Sequence, residues 1–164
     1  MNVFDNIQAT EHAVCESSLM KATLAGPIYS LECHKDMDNG TICTFGEYVG
    51  NQVFKSEDFK AGKVPVLMLT SPLGYNTSQK YYTDEKYFYN AKGEIGRGYT
   101  IYRGDIWTVS ESKFNGTPEK DKYIDATYKV VDQAPTSGFV ARIIDKVIYK
   151  NSVSYRVFVE STGV

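Results

Sequence analysis

The stretch that decides the fold is residues 86–110, which read KYFYNAKGEIGRGYTIYRGDIWTVS. Aromatic and β-branched residues are interrupted here by glycines, a pattern that predicts three short strands separated by turns. The stretch holds no group of nucleophile, base and metal ligands that would support a reaction. We therefore expect part of a β-rich body that presents a surface to a partner.

The same strand-like pattern extends on both sides of this stretch. About nine or ten short runs of apolar and β-branched residues are separated by turn residues, a spacing typical of a small barrel or sandwich. Residues 64–70 are almost continuously apolar, which predicts a strand buried on both faces. The fold class is therefore all-β, a small β-barrel or sandwich, with one or two short helical turns.

Turn signals predict how some of these strands are joined. Asn39-Gly40 predicts a hairpin between residues 28–33 and 41–45, and residues 150–152 predict a second hairpin near the C-terminus. Short helical turns are predicted at 56–62 and 111–116, where a serine or an acidic residue precedes a glycine stop.

The N-terminal segment, residues 1–25, differs from the rest because its apolar residues follow neither a strand nor a helix period. We interpret it as an extended arm before a single β-rich domain, residues 26–164. Apolar residues on such a terminus need a surface to bury against. The arm either wraps its own barrel or reaches onto a neighbouring subunit, and we expect the β body to fold without it. Its candidate partner-binding residues are Val3, Phe4, Ile7, Val14, Leu19 and Met20.

Length and charge limit the possible functions. The chain has 164 residues and a net charge of −2, which fits one domain and does not favour nucleic acid as a partner. No apolar run is long enough to span a membrane, and the N-terminus lacks the basic and apolar regions of a signal peptide. We expect a soluble protein that is synthesised in a cytoplasm and binds neither nucleic acid nor membrane.

The three cysteines, Cys15, Cys33 and Cys43, do not have the spacing of a disulfide framework or a structural zinc site. Cys33 and Cys43 flank the predicted Asn39-Gly40 turn, so a disulfide between them is possible. Free, buried thiols are the favoured interpretation.

Motifs that suggest chemistry have simpler structural explanations. His12 and His34 are the only histidines, and neither has the spacing of a metal ligand or a catalytic base. The glycines of residues 93–98 precede a strand rather than a helix, so they predict a turn and not a phosphate loop. Arg103-Gly104-Asp105 matches an integrin-binding tripeptide but is expected to be a tight turn. We predict no catalytic, cofactor-binding or metal-binding residues, and thus no enzyme.

Tyrosines are the one compositional feature that favours binding. Tyrosine offers a large contact area with a polar end, and it is enriched at interfaces. Tyr81 and Tyr82 are the candidate partner-binding residues of this kind, and such rings also stack against sugars. Cross-strand aromatic pairs within a sheet are the alternative explanation.

The chain as a whole resembles small structural proteins encoded beside the major capsid protein in tailed bacteriophages and prophages of Gram-positive bacteria. The resemblance runs through most of the chain and supplies no catalytic residues. It rests on these segments: NVFDN (2–6), EHAVC (11–15), AGPIY (25–29), GEYVG (46–50), YFYNAKGE (87–94) and GDIWTVS (104–110).

This resemblance implies a capsid decoration (cement) protein on the exterior of the virion. Its implied partners are the major capsid protein and neighbouring copies of itself, so a homo-oligomer on the capsid is expected, with no cofactor. The alternative from a different class is a carbohydrate- or receptor-binding β-module of a phage tail or fibre.

Overall fold

The computed structural model describes residues 11–72 and 84–164, and it shows an all-β fold as predicted. One short α-helix, α1 (Lys21–Ala25), and 3-10 turns at Glu85–Tyr87 and Glu111–Lys113 accompany the strands. The strands are β1 (Cys15–Glu16), β2 (Ile28–Glu32), β3 (Ile42–Gly50), β4 (Val53–Asp58), β5 (Pro65–Met68), β6 (Ile95–Thr100), β7 (Ile106–Ser110), β8 (Tyr123–Ile124), β9 (Val130–Val131), β10 (Phe139–Tyr149) and β11 (Ser152–Thr162).

The strands form a closed barrel and a separate sheet. The barrel has the order β2-β4-β3-β5-β6 and closes by pairing β6 with β2; only the β2–β4 pair is parallel. The six-stranded sheet has the order β1-β7-β11-β10-β8-β9 and is antiparallel throughout. The predicted all-β class is therefore confirmed, and the molecule combines a closed barrel with a separate sheet, an arrangement that the prediction of a barrel or a sandwich did not specify.

Strand β5 connects the two hydrophobic cores. Val66 and Met68 belong to the core inside the barrel, whereas Leu67 belongs to the larger core that also contains Trp107 and Val157 of the sheet. Successive side chains of a strand point to opposite faces, so one strand serves both cores. The prediction of a strand buried on both faces is confirmed.

Two glycines of β6 are required by barrel packing. A Cβ atom on Gly98 would lie 2.5 Å from Cδ1 of Leu31 and 2.8 Å from Cγ1 of Val66. A Cβ on Gly96 would lie 2.7 Å from Sδ of Met68. These glycines were predicted to form a turn, and that prediction is wrong: they lie within a strand and leave space for the barrel core.

Several local predictions also differ from the structure. The first part of residues 86–110 is a 3-10 turn followed by isolated bridge residues at Phe88 and Asn90, so the stretch contains two strands rather than three. Residues 56–58 belong to β4 and not to a helical turn. The C-terminal hairpin is confirmed, with Lys150 and Asn151 at positive φ in its turn, and so is the turn at Glu111–Lys113.

The predicted Asn39-Gly40 hairpin does not exist as such. Strand β2 pairs with β4 and β6, and β3 pairs with β4 and β5, so the segments that flank Asn39 are not partners. An Asn-Gly dipeptide predicts the backbone conformation of a turn, and Gly40 does have a φ of 90°. The dipeptide does not predict which strands pair on either side of that turn.

The N-terminal segment from Ala13 to Ala22 is part of the body. Strand β1 pairs with β7, and the side chains of Val14 and Met20 are fully buried. The arm was expected either to wrap its own barrel or to reach onto a neighbouring subunit. Residues 13–22 pack against their own chain. Removing residues 1–25 would delete a strand and part of the core, so the expectation that the body folds without them is not supported.

A buried polar network surrounds Asn39, which has no exposed surface. Its Oδ1 accepts from the backbone N–H of Thr70 (2.9 Å) and from Nδ2 of Asn90 (3.0 Å). Its Nδ2 donates to the carbonyl of Thr70 (2.9 Å) and to Oε1 of Glu85 (3.1 Å). Every hydrogen-bonding position of the carboxamide thus has a partner within the protein.

Replacing Asn39 should lower the free energy of unfolding far more than replacing an ordinary exposed turn residue would. Asn39→Ala removes four hydrogen bonds to Thr70, Glu85 and Asn90, and we expect a loss of about 2–4 kcal/mol in the free energy of unfolding. Urea denaturation followed by circular dichroism measures this loss.

The chain provides a matched control for this substitution. Asn115-Gly116-Thr117 repeats the tripeptide at Asn39, but the Asn115 side chain is exposed. Asn115→Ala should change the free energy of unfolding by no more than about 0.5 kcal/mol. Equal effects at the two positions would contradict the role given to the network.

Candidate functional site

The predicted partner-binding residues fall into three groups. Val3, Phe4, Ile7, Tyr81 and Tyr82 lie outside the described residues. Val14 and Met20 are buried in the protein's own core and present no surface to a partner. Leu19 is exposed over 56% of its surface and remains available for binding.

Two more exposed apolar residues follow Leu19 within ten positions of the sequence. Helix α1 buries Ala22 and turns Leu24 outward, so that 75% of Leu24 is exposed. Ile28, at the start of β2, is exposed over 40% of its surface. We call these three exposed residues, Leu19, Leu24 and Ile28, the Leu24 surface.

Asp105 holds helix α1, which carries Leu24 of this surface. Its Oδ1 accepts from the backbone N–H of Lys21 (2.9 Å), and its Oδ2 accepts from that of Tyr102 (2.8 Å). The Lys21 ammonium lies 4.6 Å from the centroid of the Tyr102 ring, a cation–π distance. The N-terminus of a five-residue helix is therefore fixed by a carboxylate from a distant turn.

The same contacts explain the Arg103-Gly104-Asp105 tripeptide. Asp105 is only 3% exposed and both of its carboxylate oxygens are occupied, so it is not presented to a receptor. Gly104 has a φ of 92°, and residues 103–104 form a turn before β7. The prediction of a structural turn is confirmed.

An aromatic cluster adjoins the Leu24 surface on the barrel. The rings of Tyr29, Phe45 and Tyr48 each meet the Phe54 ring at centroid distances of 5.1–6.1 Å. Tyr48 is the most exposed of them, at 56%. Beside it is a cleft of about 470 Å³, the Tyr48 cleft, which is lined by Pro27, Ile28, Tyr29, Ser30, Tyr48, Asn51, Gln52, Phe54 and Arg97.

Polar groups border the aromatic part of this cleft. The Tyr48 hydroxyl accepts from the backbone N–H of Gln52 (3.2 Å), across a turn in which Asn51 and Gln52 have positive φ. The Arg97 guanidinium donates to the Ser30 hydroxyl (3.2 Å). An exposed ring with amide and guanidinium groups around it is a surface on which a sugar or a peptide can stack and form hydrogen bonds.

Sequence reasoning named Leu19 as a candidate but did not name Leu24, Ile28 or Tyr48, which the structure shows to be exposed. Tyr48 was noted only as part of the GEYVG segment. The available signal was that Tyr48 lies between two glycines, next to the turn-forming Asn51. The exposure of Leu24 has no sequence signal, because a five-residue helix is too short to show a period.

Ser56, His34 and Asp58 form an arrangement that resembles a catalytic triad. Nδ1 of His34 lies 2.7 Å from the Ser56 hydroxyl, and its Nε2 lies 3.1 Å from Oδ1 of Asp58. A nucleophilic serine must reach its substrate, but Ser56 is 1% exposed and also accepts from the backbone N–H of His34 (3.1 Å). The arrangement fixes the loop after β2 to β4.

The three thiols are buried and free. Burial raises the pKa of Cys33 to about 11 and that of Cys43 to about 12, and it raises the pKa of Cys15 well above the usual value. The thiolate is the reactive form of cysteine, so these residues are inert at neutral pH. They act as core residues, as the favoured interpretation expected.

Thiol chemistry provides a direct test. We expect Ellman's reagent to react with none of the cysteines of the folded protein at neutral pH, because the thiols are inaccessible and neutral. After unfolding in guanidinium without reductant, all three should react. One reactive thiol after unfolding would instead reveal a disulfide, and rapid reaction of the folded protein would contradict the burial.

Within residues 11–72 and 84–164, no group of three or more His, Cys, Asp or Glu side chains is placed to hold a metal ion. Among the helices of these residues, none has the length and apolar character needed to cross a membrane. No family model, curated protein or solved structure matches the chain. The functional argument therefore rests on the sequence resemblance and on the surfaces described above.

Proposed function

We propose that this protein is a non-enzymatic capsid decoration protein that binds the outer surface of a phage shell built from the major capsid protein. The sequence resemblance supports the class of protein, and the Leu24 surface supplies a place for the contact. That surface is the observation that carries the proposal, because apolar side chains displayed on a firmly held element are typical of protein interfaces.

A weak individual contact is compatible with binding to a capsid, because the capsid repeats the same site many times. Complete burial of one leucine side chain contributes about 1.5–3 kcal/mol, so Leu19, Leu24 and Ile28 together supply a modest contact. A capsid presents many equivalent positions, and each bound copy adds buried area across a boundary between subunits. Contacts with neighbouring copies would strengthen binding further without a tighter individual site.

Placing a charge on the Leu24 surface should abolish capsid binding without unfolding the protein. Leu24→Asp puts a carboxylate into the proposed interface, and we expect about tenfold or greater loss of affinity, equivalent to 1.4 kcal/mol or more. Co-sedimentation with purified capsids that lack this protein measures binding.

Ile148→Asp is the matched control. Ile148 is exposed over 70% of its surface, on the hairpin between β10 and β11, and is not part of the Leu24 surface. This variant should bind as the unmodified protein does. Normal binding by Leu24→Asp, or an equal loss in both variants, would contradict the proposed surface.

To test whether the N-terminal segment contributes to capsid binding, a truncation shorter than residues 1–25 is required. A chain that begins at Glu11 keeps β1 and the buried Val14 and Met20, but it removes Val3, Phe4 and Ile7. Lost co-sedimentation by this folded variant would support a role of the segment in capsid attachment. Unchanged binding would restrict attachment to the body.

The Tyr48 cleft favours a second function, a carbohydrate-binding module of a phage tail or fibre. Its exposed ring offers a stacking face, while Asn51, Gln52 and Arg97 offer hydrogen-bonding groups at the border. The Tyr81 and Tyr82 side chains proposed earlier for this role lie outside the described residues.

A glycan array tests this second function. If the cleft binds sugars, Tyr48→Ala should lose all specific signals, because the stacking face is removed. Tyr123→Ala, at a half-buried tyrosine of the six-stranded sheet, should keep them. An array without specific signals, or signals that survive in Tyr48→Ala, would exclude the cleft as a glycan site.

A further inference from the structure

A second cleft, of about 370 Å³, lies where the barrel meets the six-stranded sheet. We call it the Lys113 cleft. Its walls come from β3 and β4 of the barrel and from the segments on either side of β8. Its lining is mixed: Ile42, Phe59, Ala126 and Tyr128 contribute apolar surface, and Lys35, Thr41, Asp58, Lys113 and Thr127 contribute polar or charged groups.

The Lys113 ammonium has few partners inside the protein. Its Nζ lies 2.6 Å from Oγ1 of Thr41, which in turn donates its own proton to the Asp38 carbonyl (2.8 Å). An ammonium has three N–H donors, and this contact uses one. Among the described residues, no carboxylate lies within ion-pairing distance of Lys113. The Tyr128 ring is 6.0 Å away, at the limit of a cation–π contact.

This environment penalises the charge. Burial lowers the pKa of Lys113 below its usual value, and the nearby positive charge of Lys35 acts in the same direction. The Asp38 carboxylate raises the pKa, but it is itself engaged by Nδ1 of His12 (2.8 Å) and the backbone N–H of Ala13 (3.0 Å). The Lys113 side chain is half-buried, and a charge that has lost part of its hydration is stabilised by an ionic partner. At Lys113, the position that such a partner would occupy lies in the cleft.

We propose that the Lys113 cleft binds a carboxylate group, with the Lys113 ammonium as its ion-pair partner and the apolar walls enclosing its carbon chain. The other charges in the cleft favour a singly charged ligand. Lys35 is already paired with Asp58, whose negative charge disfavours a phosphate dianion at this position. The carboxylate belongs either to a free organic acid or to an acidic side chain of a protein partner. The proposal is independent of the decoration function.

Nuclear magnetic resonance of the full chain tests this site. Butyrate is the probe for a free acid, N-acetylglutamate N-methylamide is the probe for an acidic side chain, and chloride at equal ionic strength is the control. We expect saturable amide shifts for Thr41, Lys113 and Thr127 with at least one carboxylate and none with chloride. A lower dissociation constant for the glutamate probe would identify a protein partner as the source, and a lower one for butyrate a free acid.

Two variants establish the role of the ammonium. Lys113→Met keeps the length and apolar stem of the side chain, and it should abolish the saturable shifts while the fold and its melting temperature are retained. Lys35→Met removes the paired lysine of the same cleft and should weaken binding by less than about threefold. The proposal is overturned if neither probe produces saturable shifts, or if Lys113→Met binds as tightly as the unmodified protein.

Should Lys113→Met fail to fold, Lys113→Arg keeps the positive charge and fills the cleft with a larger group. Saturable shifts with weakened affinity in that variant would support the ion pair. Affinity unchanged from that of the unmodified protein would argue that the ligand does not contact residue 113, and would overturn the proposal.

Discussion

The buried carboxamide of Asn39 and the buried carboxylate of Glu85 hold together segments that are far apart in the chain. Glu85 accepts from the backbone N–H of Cys15 (2.9 Å) and from Nδ2 of Asn39 (3.1 Å), and its second oxygen meets the Lys150 ammonium (3.1 Å). Asn39 continues the network to Thr70. The N-terminal strand, the end of β5 and the C-terminal hairpin thus meet at one polar centre. Buried polar groups are costly unless satisfied, so the network tolerates few alternative arrangements.

The loop that carries Asn39 also joins the barrel to the sheet. The Gly40 carbonyl accepts from the Tyr128 hydroxyl (2.5 Å), and that hydroxyl accepts from Nε1 of Trp107 (3.0 Å). Tyr128 has a φ of 61°, an unfavourable conformation for an aromatic residue that costs on the order of 1 kcal/mol. Its two hydrogen bonds and its burial offset that cost. Barrel and sheet are therefore linked by directional bonds as well as by a shared apolar core.

The sequence predicted the β-rich class and the two-faced burial of β5, because alternation and apolar runs are local properties. It did not predict that β2 pairs in parallel with β4, since pairing depends on residues that are distant in the chain. The hairpin predicted from Asn39-Gly40 was wrong because strand pairing depends on distant residues. An asparagine is compatible with an exposed turn and also with a buried hydrogen-bond network, so the dipeptide does not distinguish them. The N-terminal segment shows no hydrophobic periodicity because its strand, β1, has only two residues and its helix, α1, only five.

The binding surfaces were harder to predict than the fold, for a physical reason. Val14, Leu19 and Met20 are all apolar, yet only Leu19 is exposed, because Val14 and Met20, which directly precede β1 and α1, pack into the core. Exposure is thus a result of tertiary packing, and composition does not encode it. What could be inferred was that this segment must bury apolar surface somewhere.

In the structure, part of this apolar surface is buried within the protein and part is exposed. Val14 and Met20 pack in the core, whereas Leu19, before α1, and Leu24, on the helix that Asp105 holds in place, are exposed. Ile28 belongs both to this surface and to the lining of the Tyr48 cleft, so the two candidate binding regions share one residue. A partner that covered both would meet a preformed surface and would lose little conformational entropy of the protein on binding. Firm internal packing of the segment is therefore compatible with a role in binding, because it is the packing that presents the exposed side chains.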